Sequence, residues 1–275
     1  MFNLFRFELR LRRGAIIGWG IGLAGFAMMY LMFYPSIEEQ FGDIDLSTIA
    51  IYQALGEMSM ASLQGYFAST VLNFLPIIFS VYAVIAGTAA LAGDEEAGTL
   101  ELLAAMPLKR WQIVIAKALA LTVSGVLIIV MGTLGTMLAV NIVGSQVETD
   151  LTGLDVLPAV LNTLPVGLVF MMFSLFMGAY LPARRMASAV GTVAIIGSFL
   201  ASNLAGTVEA LEPLKPFLPF TYHDATAAVL TEGVKAGDVF TLLAAALIFL
   251  ILAVLSFNRR NLTVGAWPWQ KSKGT

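Results

Sequence analysis

The chain has no cysteine and a single histidine, His223. The first absence removes disulfides, thiolate nucleophiles and cysteine-ligated metals. The second leaves any histidine triad or metal cage to be built around one residue. Charge is scarce too, since Asp, Glu, Lys and Arg make up 12% of the 275 residues, against roughly 25% in typical globular chains. With 59% hydrophobic residues and a mean hydropathy of +0.86, so few charged side chains cannot cover a soluble surface. Composition therefore predicts a polytopic membrane protein. A net charge of −3 gives no basis for a nucleic-acid partner.

What is present is a series of long apolar runs. A helical crossing of a bilayer takes about 20 predominantly apolar residues. Runs at about 14–34, 68–92, 112–140, 159–181, 187–207 and 238–257 meet that requirement. The expected fold class is an all-α polytopic membrane protein with six transmembrane helices. Residues 14–257 form the transmembrane domain, 1–13 an interfacial helix before it, and 258–275 a cytoplasmic tail. The 112–140 run exceeds one crossing and is expected to tilt or project. In the prelude, Arg6, Arg10 and Arg13 sit at headgroup level while Phe and Leu enter the acyl boundary. A cleaved secretory signal is disfavoured, because the apolar run is long and Met32-Phe33-Tyr34-Pro35 offers no small-residue cleavage site.

Charge placement orients the bundle. Arg6, Arg10, Arg12 and Arg13 precede the first span, and Lys109, Arg110 and Lys117 belong to the second loop. Arg184 and Arg185 lie in the fourth loop, and Arg259, Arg260, Lys271 and Lys273 in the tail. Thus 13 of the 15 basic residues fall on one side, leaving Lys215 and Lys235 on the other. The opposite loops, 35–67, 141–158 and 208–237, hold 12 of the 18 acidic residues. Because Lys and Arg accumulate on the cytoplasmic side, both termini are expected in the cytoplasm of a cell (inner or plasma) membrane protein.

The spans themselves carry Ser, Thr and Asn but almost no charge, which argues against a transporter with its own ion coupling. Lys117 is the one mid-sequence candidate, and the expectation is a headgroup anchor whose stem snorkels to the membrane edge. Gly14, Gly18 and Gly22 form a G-x-x-x-G-x-x-x-G ladder that lets another helix approach closely, either in this chain or in a second subunit. Pro76 and Pro165 each free a backbone carbonyl and favour a kink.

The second loop, about 93–111, carries the functional signal. Ala92-Gly93-Asp94-Glu95-Glu96-Ala97-Gly98-Thr99-Leu100-Glu101-Leu102-Leu103-Ala104-Ala105-Met106-Pro107-Leu108-Lys109-Arg110 reads as a short amphipathic helix between stops. Thr99 can cap its N-terminus, Glu101 complements its dipole, and Pro107 prevents its continuation. Leu100, Leu103 and Ala104 make an apolar stripe that can dock in a groove of a soluble partner or rest on lipid.

This stretch, with Lys117 seven residues after Arg110, resembles the signature of ABC-2 type transporter permeases, E-x-G-T-L-E-x-L-L-x-x-P-x-x-R with a spaced Lys. Phe257-Asn258-Arg259-Arg260-Asn261-Leu262 resembles the family's F-x-R-R-D-L, departing at Asn261. Leu218-Pro219-Phe220-Thr221-Tyr222-His223 resembles its S-P-F stretch, departing at Thr221 and His223. The resemblance implies a permease paired with a second permease, identical or related, in membrane lipid, and with two cytosolic ABC ATPase subunits that bind ATP and Mg²⁺. It implies that the loop helix is a coupling helix, with Glu95, Glu96, Gly98, Thr99, Glu101 and Arg110 as ATPase-coupling residues and Leu103 and Pro107 as its structural members. The chain has no G-x-x-x-x-G-K-[ST], so no phosphate cradle of its own, and no cofactor or catalytic residue is assigned to it.

Two other classes were weighed. An intramembrane enzyme would rest on His223 beside Asp224, but no second histidine or ligand spacing accompanies them, and a hydrogen-bonded histidine is the expected reading. A non-transporting scaffold or sensor would share the composition and lack only the coupling signature. Uncharged spans suit an amphipathic or hydrophobic cargo such as a drug or lipid, and the resemblance favours export. An amphipathic helix is expected around Ile44–Leu55 in the first external loop, covering the bundle mouth. The segment 208–237, with Pro213, Pro216 and Pro219, is expected to be partly re-entrant.

Overall fold

A computed structural model describes residues 1–41, 62–99, 108–205 and 208–259. Helix dominates, and no strand occurs among the described residues. An amphipathic N-terminal helix, Phe2–Leu11, turns at Arg12 into the first of six helices long and apolar enough to cross a membrane. These spans are Arg13–Glu39, Leu63–Glu96, Arg110–Gly144, Val156–Tyr180, Arg184–Leu204 and Ala236–Arg259. The first helix continues through Pro35 to Phe41, further than the apolar run indicated. The expected helix around Ile44–Leu55 lies outside the described residues, as does the tail beyond Arg259.

The second, third and fourth spans bury most of their residues, while the first, fifth and sixth expose most of theirs. The core is accordingly the middle of the chain, including Leu75, Phe79, Tyr82, Leu121, Ile128, Val166 and Met171. Exposed Ile21, Val193, Ile196, Leu247 and Ile248 are the lipid-facing set that such an arrangement requires. The third span is 35 residues long, roughly 50 Å at 1.5 Å per residue. It outreaches the roughly 30 Å hydrocarbon layer, so it must tilt or project beyond it, as the sequence suggests.

First and third spans lie against each other through small residues. A Cβ at Gly135 would overlap Ala24, and one at Gly20 would sit 2.7 Å from Met131 Sδ. By contrast, a Cβ at Gly14, Gly18 or Gly22 would meet nothing within 4 Å. The ladder therefore faces away from the described residues.

The second span contains two π-helical turns, Ala68–Leu72 and Ala89–Gly93. Its start is fixed by Ser62, whose Oγ accepts from the Gly65 N–H at 3.1 Å. The Tyr66 hydroxyl donates to the Tyr30 carbonyl at 3.0 Å, tying this start to the first span. The fourth span breaks at Asn162, between Val156–Leu161 and Thr163–Tyr180, close to Pro165. Residues 208–235 fold as 3₁₀ turns, Glu209–Phe217 and Pro219–Tyr222, and a short helix, Ala228–Glu232.

Several span hydroxyls are consumed locally. Thr88, Ser124, Thr133 and Thr136 each donate to the carbonyl four residues earlier, at 2.7 to 2.9 Å. They line no polar conduit. Thr88 also meets Ser188 at 3.1 Å, joining the second and fifth spans.

Candidate functional site at the basic end of the bundle

The N-terminal helix packs on the start of the third span through Leu4, Ile113 and Ala116, with Phe5 and Leu108 at the edge. One turn beyond Leu4 comes Glu8, the one acidic residue among Arg6, Arg10, Arg12 and Arg13. This packing carries the Glu8 carboxylate into the interior, where the residue is 5% exposed. Lys117, two turns into the third span, points at the same spot and is fully buried.

Lys117 Nζ is paired with Glu8 Oε1 and, at 2.5 Å, with Asp94 Oδ2. Arg12 reaches Glu8 Oε2 at 3.4 Å. Two carboxylates and two cations thus form a neutral knot joining the N-terminal helix, the end of the second span and the third span. Burying an isolated ammonium is costly enough that the partners are obligatory. The sequence-based expectation for Lys117 is therefore corrected. Its head does not snorkel to a headgroup, because two inward carboxylates hold it inside protein.

The knot sits where the second loop begins. The last turn of the second span, Asp94–Glu96, closes with the Ala97 N–H on the Gly93 carbonyl and the Gly98 N–H on the Glu95 carbonyl, each at 3.0 Å. Gly98 has φ +70°, the left-handed conformation that ends helices and that glycine adopts without steric cost. The Thr99 hydroxyl donates to the Asp94 carbonyl at 3.1 Å. It thereby satisfies the end of the preceding helix, whereas the helix it was expected to cap, with Leu100, Glu101, Leu103 and Pro107, lies outside the described residues.

Glu96 has a different partner. Its Oε1 accepts from the backbone N–H of Arg184 at 3.0 Å. Arg184 opens the fifth-span helix, whose own N-cap, Ala183, has no side chain able to cap it. A carboxylate at that position also complements the helix dipole. Glu95 is 9% exposed beside the knot, and Arg110 opens the third-span helix after Lys109, whose N–H is capped by Gln112 Oε1 at 2.9 Å. Of the sequence-derived set, Glu95, Glu96, Gly98, Thr99 and Arg110 thus flank one loop, tied to the third span by Lys117 and to the fifth by Arg184. Glu8, Asp94 and Arg12 were missed. Their signal was nonetheless present, since Glu8 is the one acid among four arginines and Lys117 the one charge in its apolar run.

At the other end, His223 is hydrogen-bonded. Pro76 has no N–H, which leaves the Leu72 carbonyl four residues earlier without its helical donor. His223 Nε2 lies 3.1 Å from that oxygen. A carbonyl can only accept, so Nε2 carries the proton. Burial pushes the imidazole pKa below its usual value, opposed by the Leu72 and Asn162 carbonyls and by the charge of Asp224. Asp224 Oδ1 is engaged by Thr226, at 2.9 Å from its N–H and 2.6 Å from its hydroxyl. Among the described residues no group of three or more His, Asp or Glu could hold a metal ion.

Among the described residues, six helices able to cross a membrane enclose one neutralised ionic knot, and the ends of the second loop are tied to the second, third and fifth of them. Comparison with family models places the chain further. The model of the ABC-2 family transporter protein matches residues 2–262, and the chain belongs to that family. It is a multi-pass permease of an ABC transporter. Comparison with curated proteins returned no match.

Proposed function

We propose that the chain is the permease subunit of an exporter of amphipathic or hydrophobic molecules, driven by ATP and Mg²⁺ held in separate ABC ATPase subunits. The basic end faces the cytoplasm of the cell membrane, following the distribution of Lys and Arg. A second permease, identical or related, completes the membrane unit, and the outward Gly14, Gly18 and Gly22 face is available to it.

One observation carries the coupling role. The second loop leaves the bundle at Asp94–Glu96, where Lys117 and Arg184 fasten it to the third and fifth spans and Glu8 fastens the same lysine to the N-terminal helix. A load applied by an ATPase to residues 95–110 therefore reaches three helices through ion pairs and a cap. Glu95, Glu96, Gly98, Thr99, Glu101 and Arg110 are the coupling residues of this proposal.

The test is copurification of the chain with its ATPase from membranes, with hydrolysis measured after reconstitution. Glu96→Ala combined with Arg110→Ala should weaken association or uncouple hydrolysis from transport while the permease stays in the membrane. Unchanged association and coupling would sink the assignment.

A further inference from the structure

Two cavities lie side by side at the end of the bundle opposite the ionic knot. The larger, about 440 Å³, is a half-open groove bordered by the fourth, fifth and sixth spans and residues 216–219, with Val193 and Phe217 exposed at its rim. Phe170, Phe173, Phe217 and Phe249 form much of its wall, and Ser198 supplies its one side-chain polar group. The smaller, about 220 Å³, is lined by Asn73, Ser202, Asn203, Thr221 and His223, with Phe199 and Phe220 between them. Phenyl rings form the partition. The Phe220 ring lies 5.3 Å from Phe170, which faces the large cavity, and 5.5 Å from Phe199, which faces the small one.

Ser198 borders the larger groove and His223 the smaller. Ser198 Oγ and His223 Nδ1 make no hydrogen bond among the described residues, and each residue is 8% exposed. Ser198 differs here from Ser124, Thr133 and Thr136, whose hydroxyls return to their own helix. Ser80 Oγ, Thr163 Oγ1 and Ser174 Oγ, away from both grooves, are unpaired in the same way. No Asp, Glu, Lys or Arg lines either cavity. An ionic head would find no counter-charge there.

We propose that the two cavities form one bipartite site for a neutral single-chain amphiphile. The alkyl chain occupies the aromatic chamber, and a hydroxyl or amide head sits among Asn73, Asn203 and His223. The larger volume falls in the range of about 300–1,000 Å³ typical of small-molecule pockets, and the smaller suits a head group alone. The inference rests on the permease reading only in naming the occupant as cargo.

The test uses the full chain in nanodiscs of phosphatidylcholine with no ATPase present, and a monoacylglycerol carrying a diazirine in its chain. Photolabel should appear in residues 193–199 and 215–220 and be displaced by unlabelled monoacylglycerol. A fatty acid and an alkyltrimethylammonium of the same chain length should compete about tenfold less well. A Cβ at Gly197 meets nothing within 4 Å, so Gly197→Trp grows into the chamber and should cut labelling about tenfold. Should that variant fail to fold, Ala194→Phe fills the same chamber and is read by the same criterion. Labelling insensitive to the filled chamber, or equal competition by the charged amphiphiles, overturns the site. Because no ATPase is present, loss of ATPase copurification would remove the permease pairing and leave this result standing. Conversely, absent labelling with intact copurification removes the site alone.

Discussion

Lys117 and Asp94 meet at 2.5 Å inside the protein, and through that contact the third span holds the last turn of the second. Glu8 takes the other side of the same ammonium. Removing one member of such a group leaves charge without compensation. Lys117→Met should therefore cost about 3–5 kcal/mol of stability. The triple variant Glu8→Gln, Asp94→Asn, Lys117→Met removes all three charges and should recover most of that loss. Unfolding midpoints in a single detergent decide the matter: a triple variant as unstable as Lys117→Met would mean that the lysine stem, rather than charge balance, holds these helices together.

Gly98 turns the chain at the end of the second span with φ +70°, and a Cβ there would meet no neighbour. The cost of Gly98→Ala is consequently conformational, about 1–2 kcal/mol. Gly98→Asn should cost less, because asparagine tolerates this region better than alanine. With the knot intact, the damage should appear as weaker ATPase stimulation in the assembled transporter. Equal behaviour of the alanine and asparagine variants would show that the left-handed turn does not matter to coupling.

Glu96 has two separable properties, an acceptor oxygen for the Arg184 N–H and a negative charge. Glu96→Gln keeps the acceptor and Glu96→Ala removes both. The alanine variant should lose about 1 kcal/mol, the usual value of a helix cap, while the glutamine variant stays within a few tenths of the parent. If ATPase association depends on charge at this position, both variants should reduce it alike. Full association with Glu96→Gln would restrict Glu96 to capping the fifth span.

The number of spans was legible in the sequence because lipid demands long apolar runs, and each run became one helix. Of the second loop, the end of the second span at Gly98 is seen, while the helix expected between Thr99 and Pro107 lies outside the described residues. Lys117 was not legible, since a charge near the end of an apolar run looks the same whether it snorkels or pairs. Only the approach of Glu8, 109 residues away in sequence, distinguishes the two. The same holds for His223. Pro76 announced a free carbonyl at Leu72, but not which donor would come to it from the 208–235 segment. Among the glycines, periodicity singled out Gly14, Gly18 and Gly22, while the close approach of the first and third spans belongs to Gly20 and Gly135.

That division of the glycines makes a prediction about the second permease. Gly18→Leu adds a side chain where no described residue lies within 4 Å, so folding of the chain should be nearly unaffected. Association between permeases should fall if this ladder is the contact, as crosslinking in membranes would measure. Gly135→Leu is the contrasting variant, since it drives a side chain into Ala24 and should destabilise the chain itself. A Gly18→Leu protein that associates normally would move the permease contact to another face.

His223 gives the chain a pH dependence with a defined sign. In the unfolded chain its imidazole takes up a proton near pH 6.5, whereas burial keeps it neutral to lower pH in the folded protein. Above about pH 6.5 both states are neutral and this residue's contribution is complete. As pH falls from there towards the folded pKa, the unfolded state gains a proton that the folded state refuses, and stability declines. His223→Gln retains an N–H for the Leu72 carbonyl but cannot titrate. Between about pH 7.5 and 5.5 the parent should therefore lose more stability than the variant, since carboxylates titrating elsewhere affect both equally. Parallel curves for the two proteins would mean that the imidazole is reached by water or already protonated in the folded state, and the neutral Nε2–H tautomer would have to be abandoned.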